Sequence, residues 1–180
     1  LTYDAKNFIP FLAVSEVARE VGICVTAASK SWNLAGLKCA TIITAHPKQH
    51  ERAKSMPIAV HYRASLFGAV ASATAYECAD WLDSAIETMD SNRRYVKKLL
   101  DENLPSVGYR IPDFSYLAWL DLSSLNLGEK PAEVLLEKGK LALNAGIKFG
   151  PQSSNFVRLN FATSEEILDQ AISRMASCVS

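Results

Sequence analysis

A chain of 180 residues is long enough for one ordinary domain or two small ones, and it needs no disulfide scaffold to bury most of its unfolded surface. With 49% hydrophobic and 21% charged residues the composition excludes a disordered chain. Lys+Arg and Asp+Glu each number 19, so the net charge of +0 leaves no electrostatic footprint for nucleic acid or an anionic membrane. The best apolar run, 69–79, is cut by Ser72, Thr74 and Glu77 and falls short of the ~18–20 residues of a membrane span.

The chain starts at Leu1 rather than Met and opens on nothing like a leader peptide, so its first residue reads as a cut edge. Cys24, Cys39, Cys78 and Cys178 form no CxxC pair and read as reduced, buried structural thiols, with no metal expected.

Residues 14–20 suit a short helix stopped at Gly22, and Ile23 to Thr26 form a β-branched run that reads as a buried strand. The polar segment Ser29-Lys30-Ser31-Trp32-Asn33 separates it from a second such run, 39–45. His46-Pro47 opens a helix through Ala53, with proline tolerated in the first turn, ending near Met56-Pro57. From Ser65 to about Asn103 no proline occurs, and no glycine after Gly68. Leu82, Ile86, Met89, Val96 and Leu100 follow helical spacing, which predicts one long amphipathic helix or two nearly collinear ones. Its first half is rich in small residues such as Ala71, Ser72 and Ala75, which allow another backbone to come close.

Beyond Leu104-Pro105 the pattern becomes α+β. Residues 116–123 read as a strand, and 131–144 as a helix with Pro131 in its first turn and Gly146 as its stop. Residues 155–162 read as a strand with Val157, Leu159 and Phe161 on one face and Phe156, Arg158 and Asn160 on the other. Thr163-Ser164-Glu165-Glu166 is a capping box for a closing amphipathic helix. The last part is therefore a small sheet covered by helices.

Lys30 directly follows an apolar strand. An ammonium carried toward an interior must be paired or lose its proton, and a lysine poised to do so is a nucleophile for an aldehyde. The same position equally suits a strand-end lysine reaching solvent. His46 and His50 are four apart without an HExxH pattern and read as solvated helix residues. His61-Tyr62-Arg63, at the approach to the long helix, either lines a cleft or caps that helix. Trp32 reads as a packing residue that also suits the wall of a pocket beside Lys30.

The segment 29–37, SKSWNLAGL, resembles the pyridoxal-phosphate (PLP) lysine motif of the class I/II aminotransferase family of fold type I, in its cystathionine β-lyase-like carbon–sulfur lyase branch. Phe149-Gly150-Pro151 followed by 155–162 (NFVRLNFA) is similar to that family's C-terminal strand, whose arginine grips the substrate carboxylate. The resemblance covers the whole chain and implies an α/β fold. Residues 1–60 would end a large cofactor domain with a mostly parallel sheet, 61–103 would form the interdomain helix region, and 104–180 a small C-terminal α+β domain.

By resemblance, Lys30 holds the cofactor as a Schiff base and later carries the Cα proton. Arg158 would bind the α-carboxylate as a two-pronged fork, against the plainer reading of a surface strand arginine. Ser29 and Lys38 would hold the cofactor phosphate, Lys38 standing where an arginine is common and Ala27 where serine or glycine is usual. The family's pyridine-nitrogen aspartate, ring-stacking aromatic and phosphate loop all lie upstream of the lysine. Asp4 is too near Lys30 to be that aspartate. The chain therefore reads as the C-terminal portion of such an enzyme, expected not to hold PLP tightly by itself.

The implied activity is α,β-elimination from a small sulfur-containing amino acid, releasing thiol, pyruvate and ammonia. An aminotransferase is the runner-up within the same chemistry. A PLP-binding effector domain of a transcription regulator is the alternative from another class, decided by whether a helix-turn-helix or a complete large lobe lies upstream. A dead dimerisation module conflicts with the presence of both Lys30 and Arg158. The family further implies a cytoplasmic homodimer, with no nucleic acid and no membrane as partners.

Overall fold

The computed structural model describes residues 1–3 and 8–179. Asp4 lies outside them. The chain divides into two compact units, one spanning Lys6–Ser84 and the other joining Leu1–Ala5 to Ala85–Ser180.

In the 6–84 unit, helix α1 (Phe11–Val14) leads into α2 (Glu16–Val21), whose Ser15 side chain caps it by accepting from the Ala18 N–H at 3.1 Å. Strand β1 (Ile23–Thr26) pairs antiparallel with β2 (Thr41–Thr44), in a register running from Ile23 opposite Thr44 to Thr26 opposite Thr41. Helix α3 (Pro47–Lys54) is capped by His46, whose Nδ1 accepts from the Lys48 N–H. Its buried Gln49 donates from Nε2 to the Glu20 carbonyl at 3.2 Å, tying α3 to the end of α2. Helix α4 (Ile58–Tyr62) follows, then α5 (Leu66–Glu77), capped by Ser65.

Two expectations are corrected here. The mostly parallel sheet is not found, because both sheets among the described residues are antiparallel throughout. The physical reason in this unit is the connection 27–40, which holds only turns and a short 3-10 helix rather than the covering helix of a parallel crossover. Strand β1 is also not buried. Val25 is 66% exposed and Ile42 of β2 is 39% exposed, because each strand of a two-stranded ribbon has only one neighbour to cover it.

The long helical stretch is two helices, α5 and α6 (Ala79–Asn103), broken at Cys78, whose ψ of 60° leaves the helical region. No proline or glycine marks the break. The Cys78 carbonyl instead accepts from the Trp32 indole N–H at 3.4 Å. Gly68, just ahead of the small residues of α5, meets a close backbone: a Cβ there would lie 2.3 Å from the Leu37 carbonyl oxygen. Of the four free cysteines only Cys178 is buried, Cys24 and Cys39 being partly open and Cys78 exposed.

The other unit is a four-stranded antiparallel sheet in the order β3 (Gly108–Tyr109), β4 (Leu117–Asp121), β6 (Phe156–Asn160), β5 (Asn144–Ala145). Helix α7 (Pro131–Glu137) lies in sequence between β4 and β5, and α8 (Glu165–Ala176) follows β6, capped by Ser164. Val157, Leu159 and Phe161 are 0–2% exposed, as their alternation predicts, and each contributes roughly 1.5–3 kcal/mol by leaving water. They share one core with Ala118 and Leu120 of β4, Val96 and Leu100 of α6, and Leu168 and Ile172 of α8. Asn92 of α6 donates from Nδ2 to the Phe161 and Thr163 carbonyls at 2.8 and 2.7 Å, fixing the exit of β6.

The helix expected over 131–144 ends at Glu137. Lys140 takes a left-handed φ of 51°, and the Gly139 and Leu141 N–H groups both reach back to the Leu135 carbonyl at 3.0 Å, closing the helix. Gly146 is accordingly not a helix stop. Asn144 is released into β5.

Candidate functional site

Lys30 stands on the turn that follows β1. Ala28, fully buried, anchors that turn, and its carbonyl accepts from the Trp32 N–H at 3.0 Å. Ser29 is half-buried and Lys30 is exposed, so the turn presents the amine to solvent rather than to an interior. Trp32 meets Tyr76 of α5 edge-on, with ring centroids 5.0 Å apart, which together with its bond to Cys78 pins the loop to the end of α5. Asn33 and Lys38 both have left-handed φ, 55° and 52°, and bracket the 3-10 turn Ala35–Leu37.

Lys38 lines an open groove of about 640 Å³ beside β1 and β2. His50, Lys54, His61 and Arg63 line it as well, and no Asp or Glu among the described residues does. The groove is therefore a basic, partly apolar surface. Ser29 and Lys30 share their turn, but Lys30 is not among the groove's lining residues.

Arg158 belongs to the other unit, on the open face of β6 opposite Trp119 of β4 and Asn144 of β5. Its guanidinium carbon sits 4.6 Å from the Phe149 ring centroid. Nη2 donates to the Asn144 side-chain oxygen at 3.1 Å. Nε is buried and has no hydrogen-bond partner among the described residues. Trp119 meets Phe149 edge-on at 5.4 Å and stacks with Phe156 at 5.5 Å, so the arginine rests against an aromatic wall. The turn that presents Phe149 requires glycine next to it, since Gly150 has φ of 142°.

The donor sets suit the chemistry anticipated for them. A primary amine on an exposed turn can condense with an aldehyde; Ser29 shares that turn, whereas Lys38 lines the groove and Ser29 does not. An arginine with an orphaned buried N–H suits a carboxylate. Reading the sequence missed Asn144 and Phe149 as neighbours of Arg158. The only signal for Phe149 was the Phe149-Gly150-Pro151 turn, and for Asn144 there was none, because it was placed in a helix. Among the described residues no group of three or more His, Cys, Asp or Glu could hold a metal ion, and no helix is long and apolar enough to cross a membrane.

Residues 2–175 match the family model described as Aminotransferase class I and II. Cystathionine beta-lyase of Corynebacterium glutamicum is 35% identical over 98% of this chain and 47% of its own length. Cystathionine beta-lyase PatB of Bacillus subtilis is 35% identical over 100% of this chain and 47% of its own length. The crystal structure of cystalysin from Treponema denticola, which contains a pyridoxal 5'-phosphate cofactor, superposes with a TM-score of 0.87 at 26% identity, over 99% of this chain and 46% of that one. The chain thus spans about half the length of the curated relatives it matches.

Proposed function

The chain belongs to the aminotransferase class I and II family, and we propose that it is the C-terminal half of a PLP-dependent carbon–sulfur β-lyase acting on cystathionine-like amino acids. The observation that carries this reading is Lys30, an amine presented on the open turn that follows β1, within the segment SKSWNLAGL. The cofactor, when bound, supplies an electron sink for the charge left on the substrate Cα.

The chain's own groups have separate tasks. Lys30 Nζ anchors the cofactor; once released, it takes the proton from the substrate Cα and delivers a proton to the departing sulfur as the Cβ–S bond breaks. Arg158 grips the α-carboxylate and so fixes which bond at Cα faces the reaction. Ser29 and Lys38 hold the cofactor phosphate through a hydroxyl and a charge. With one water taken up to hydrolyse the three-carbon remainder, thiol, pyruvate and ammonia leave as products. In this reading residues 1–60 end the cofactor domain, 61–103 form the interdomain helix region and 104–180 the small domain, in a cytoplasmic homodimer.

The test is release of thiol and pyruvate from cystathionine by the full-length protein loaded with pyridoxal phosphate, run beside Lys30→Ala. Release in the parent that disappears in the variant is the expected result. Cofactor bound through Lys30 without any release would overturn the lyase reading, and a keto acid formed without ammonia or thiol would replace it with transamination.

A further inference from the structure

We infer that Asn144 is the positioning residue for Arg158, a neutral acceptor that orders the guanidinium for a carboxylate without cancelling its charge. The inference rests on the proposed role of Arg158 as the carboxylate-binding group. Asn144 and Arg158 are direct partners in the antiparallel pairing of β5 with β6. Directly opposed side chains project from the same face of a sheet, close enough to interact. The Asn144 oxygen accepts from Nη2 at 3.1 Å while the Phe149 ring supports the guanidinium at 4.6 Å. Two independent contacts thus fix a side chain that would otherwise lose several rotatable bonds' worth of freedom at the moment of binding.

The choice of asparagine has a chemical reason. An acceptor is needed to hold Nη2, and the amide oxygen supplies one with no net charge. An aspartate there would orient the arginine equally well but would pair with it, and the substrate carboxylate would have to displace that partner. Nε is buried and has no hydrogen-bond partner among the described residues, so Asn144 engages the guanidinium while leaving one of its donors unmet. Asn144 touches the arginine rather than the reacting atoms, so it acts on affinity and orientation and leaves proton transfer alone.

The experiment measures equilibrium binding by calorimetry to the full-length holoenzyme with two probes. One is 3-(methylthio)propionate, which has the carboxylate but no amine, and the other is 3-(methylthio)propylamine, which has the amine but no carboxylate. For Asn144→Ala the carboxylate probe is expected to bind about tenfold more weakly, the amine probe to change by less than about twofold, and KM for cystathionine to rise with kcat nearly unchanged. Asn144→Asp is expected to weaken the carboxylate probe further still. Equal weakening of both probes in Asn144→Ala would mean a merely structural role and overturn the inference. Unchanged carboxylate binding in Asn144→Ala, with binding lost in Arg158→Ala, would also overturn it while leaving the role of Arg158 intact. Unchanged carboxylate binding in Arg158→Ala would remove the premise and the inference together.

Discussion

Arg93 is the most demanding residue in the core of the unit that carries Arg158. It is 1% exposed, yet it is charged, and its burial is compatible with stability only because its donors are matched. Nε and Nη2 face the Asp90 carboxylate, Nη1 donates to the Pro112 carbonyl at 2.8 Å, and the Tyr3 ring covers the cation at 4.3 Å. Asp90→Asn keeps the shape but removes the counter-charge. Removing one partner of a buried pair costs roughly 3–5 kcal/mol. Asp90 is 33% exposed, which lowers that penalty, so about 3 kcal/mol is the expected loss. In a unit of roughly a hundred residues this corresponds to a fall in Tm of roughly 12–24 °C. Urea unfolding, with hydrogen exchange read at the β4 and β6 amides, measures it. Arg94 also pairs with Asp90, at 3.4 Å but half exposed, so Arg94→Ala should cost no more than about 0.5 kcal/mol. A loss for Asp90→Asn as small as that of Arg94→Ala would refute the claim that burial makes the Arg93 pair matter.

The same core yields two further expectations. Phe161→Ala empties a fully buried site and should cost about 3–5 kcal/mol, whereas Ile167→Ala, at a residue 54% exposed on α8, should stay within about 0.5 kcal/mol; a comparable loss at both would contradict the assigned faces of this unit. Burial pushes the Tyr3 phenol up from 10.0 to about 12, the nearby Arg93 cation pulling the other way. Because the folded pKa lies above the unfolded one, this contribution to stability is intact below about pH 10 and is lost as pH rises through about 12. The phenolate absorbance that Tyr3→Phe removes should accordingly appear near pH 12, and its appearance near pH 10 in the folded chain would refute the assignment.

Local periodicity carried the second unit well. The alternation over 156–161 placed Val157, Leu159 and Phe161 inside, and the helical spacing of Met89, Val96 and Leu100 placed them in the same core. Where periodicity misled, a backbone feature overrode it. Leu135, Leu136, Leu141 and Leu143 sustain an apolar pattern through 131–144, but a lysine, not a glycine, takes the left-handed turn at position 140. Gly139, just past the helix end at Glu137, is the mark the sequence did carry, and the apolar pattern running on to Leu143 outweighed it. Burial was less legible than strand formation. The β-branched residues of 23–26 do form a strand, but whether a strand is covered depends on the elements packed over it, which its own residues do not encode.

The candidate site divides in the same way. Lys30 and Arg158 stood out as candidates because each sits in a contiguous motif, whereas the Asn144 contact did not, because it arises from strand register across 14 residues. That register also weighs between the two readings of Arg158. An arginine serving only to solubilise a strand extends its polar end into water. Arg158 is instead half-buried over Phe149, with one donor held by Asn144 and Nε cut off from solvent without an acceptor. Leaving such a donor unmet costs about 1–3 kcal/mol, a cost with no structural purpose in a side chain free to swing outward. That expense is what supports the proposed role of Arg158 as the carboxylate-binding group.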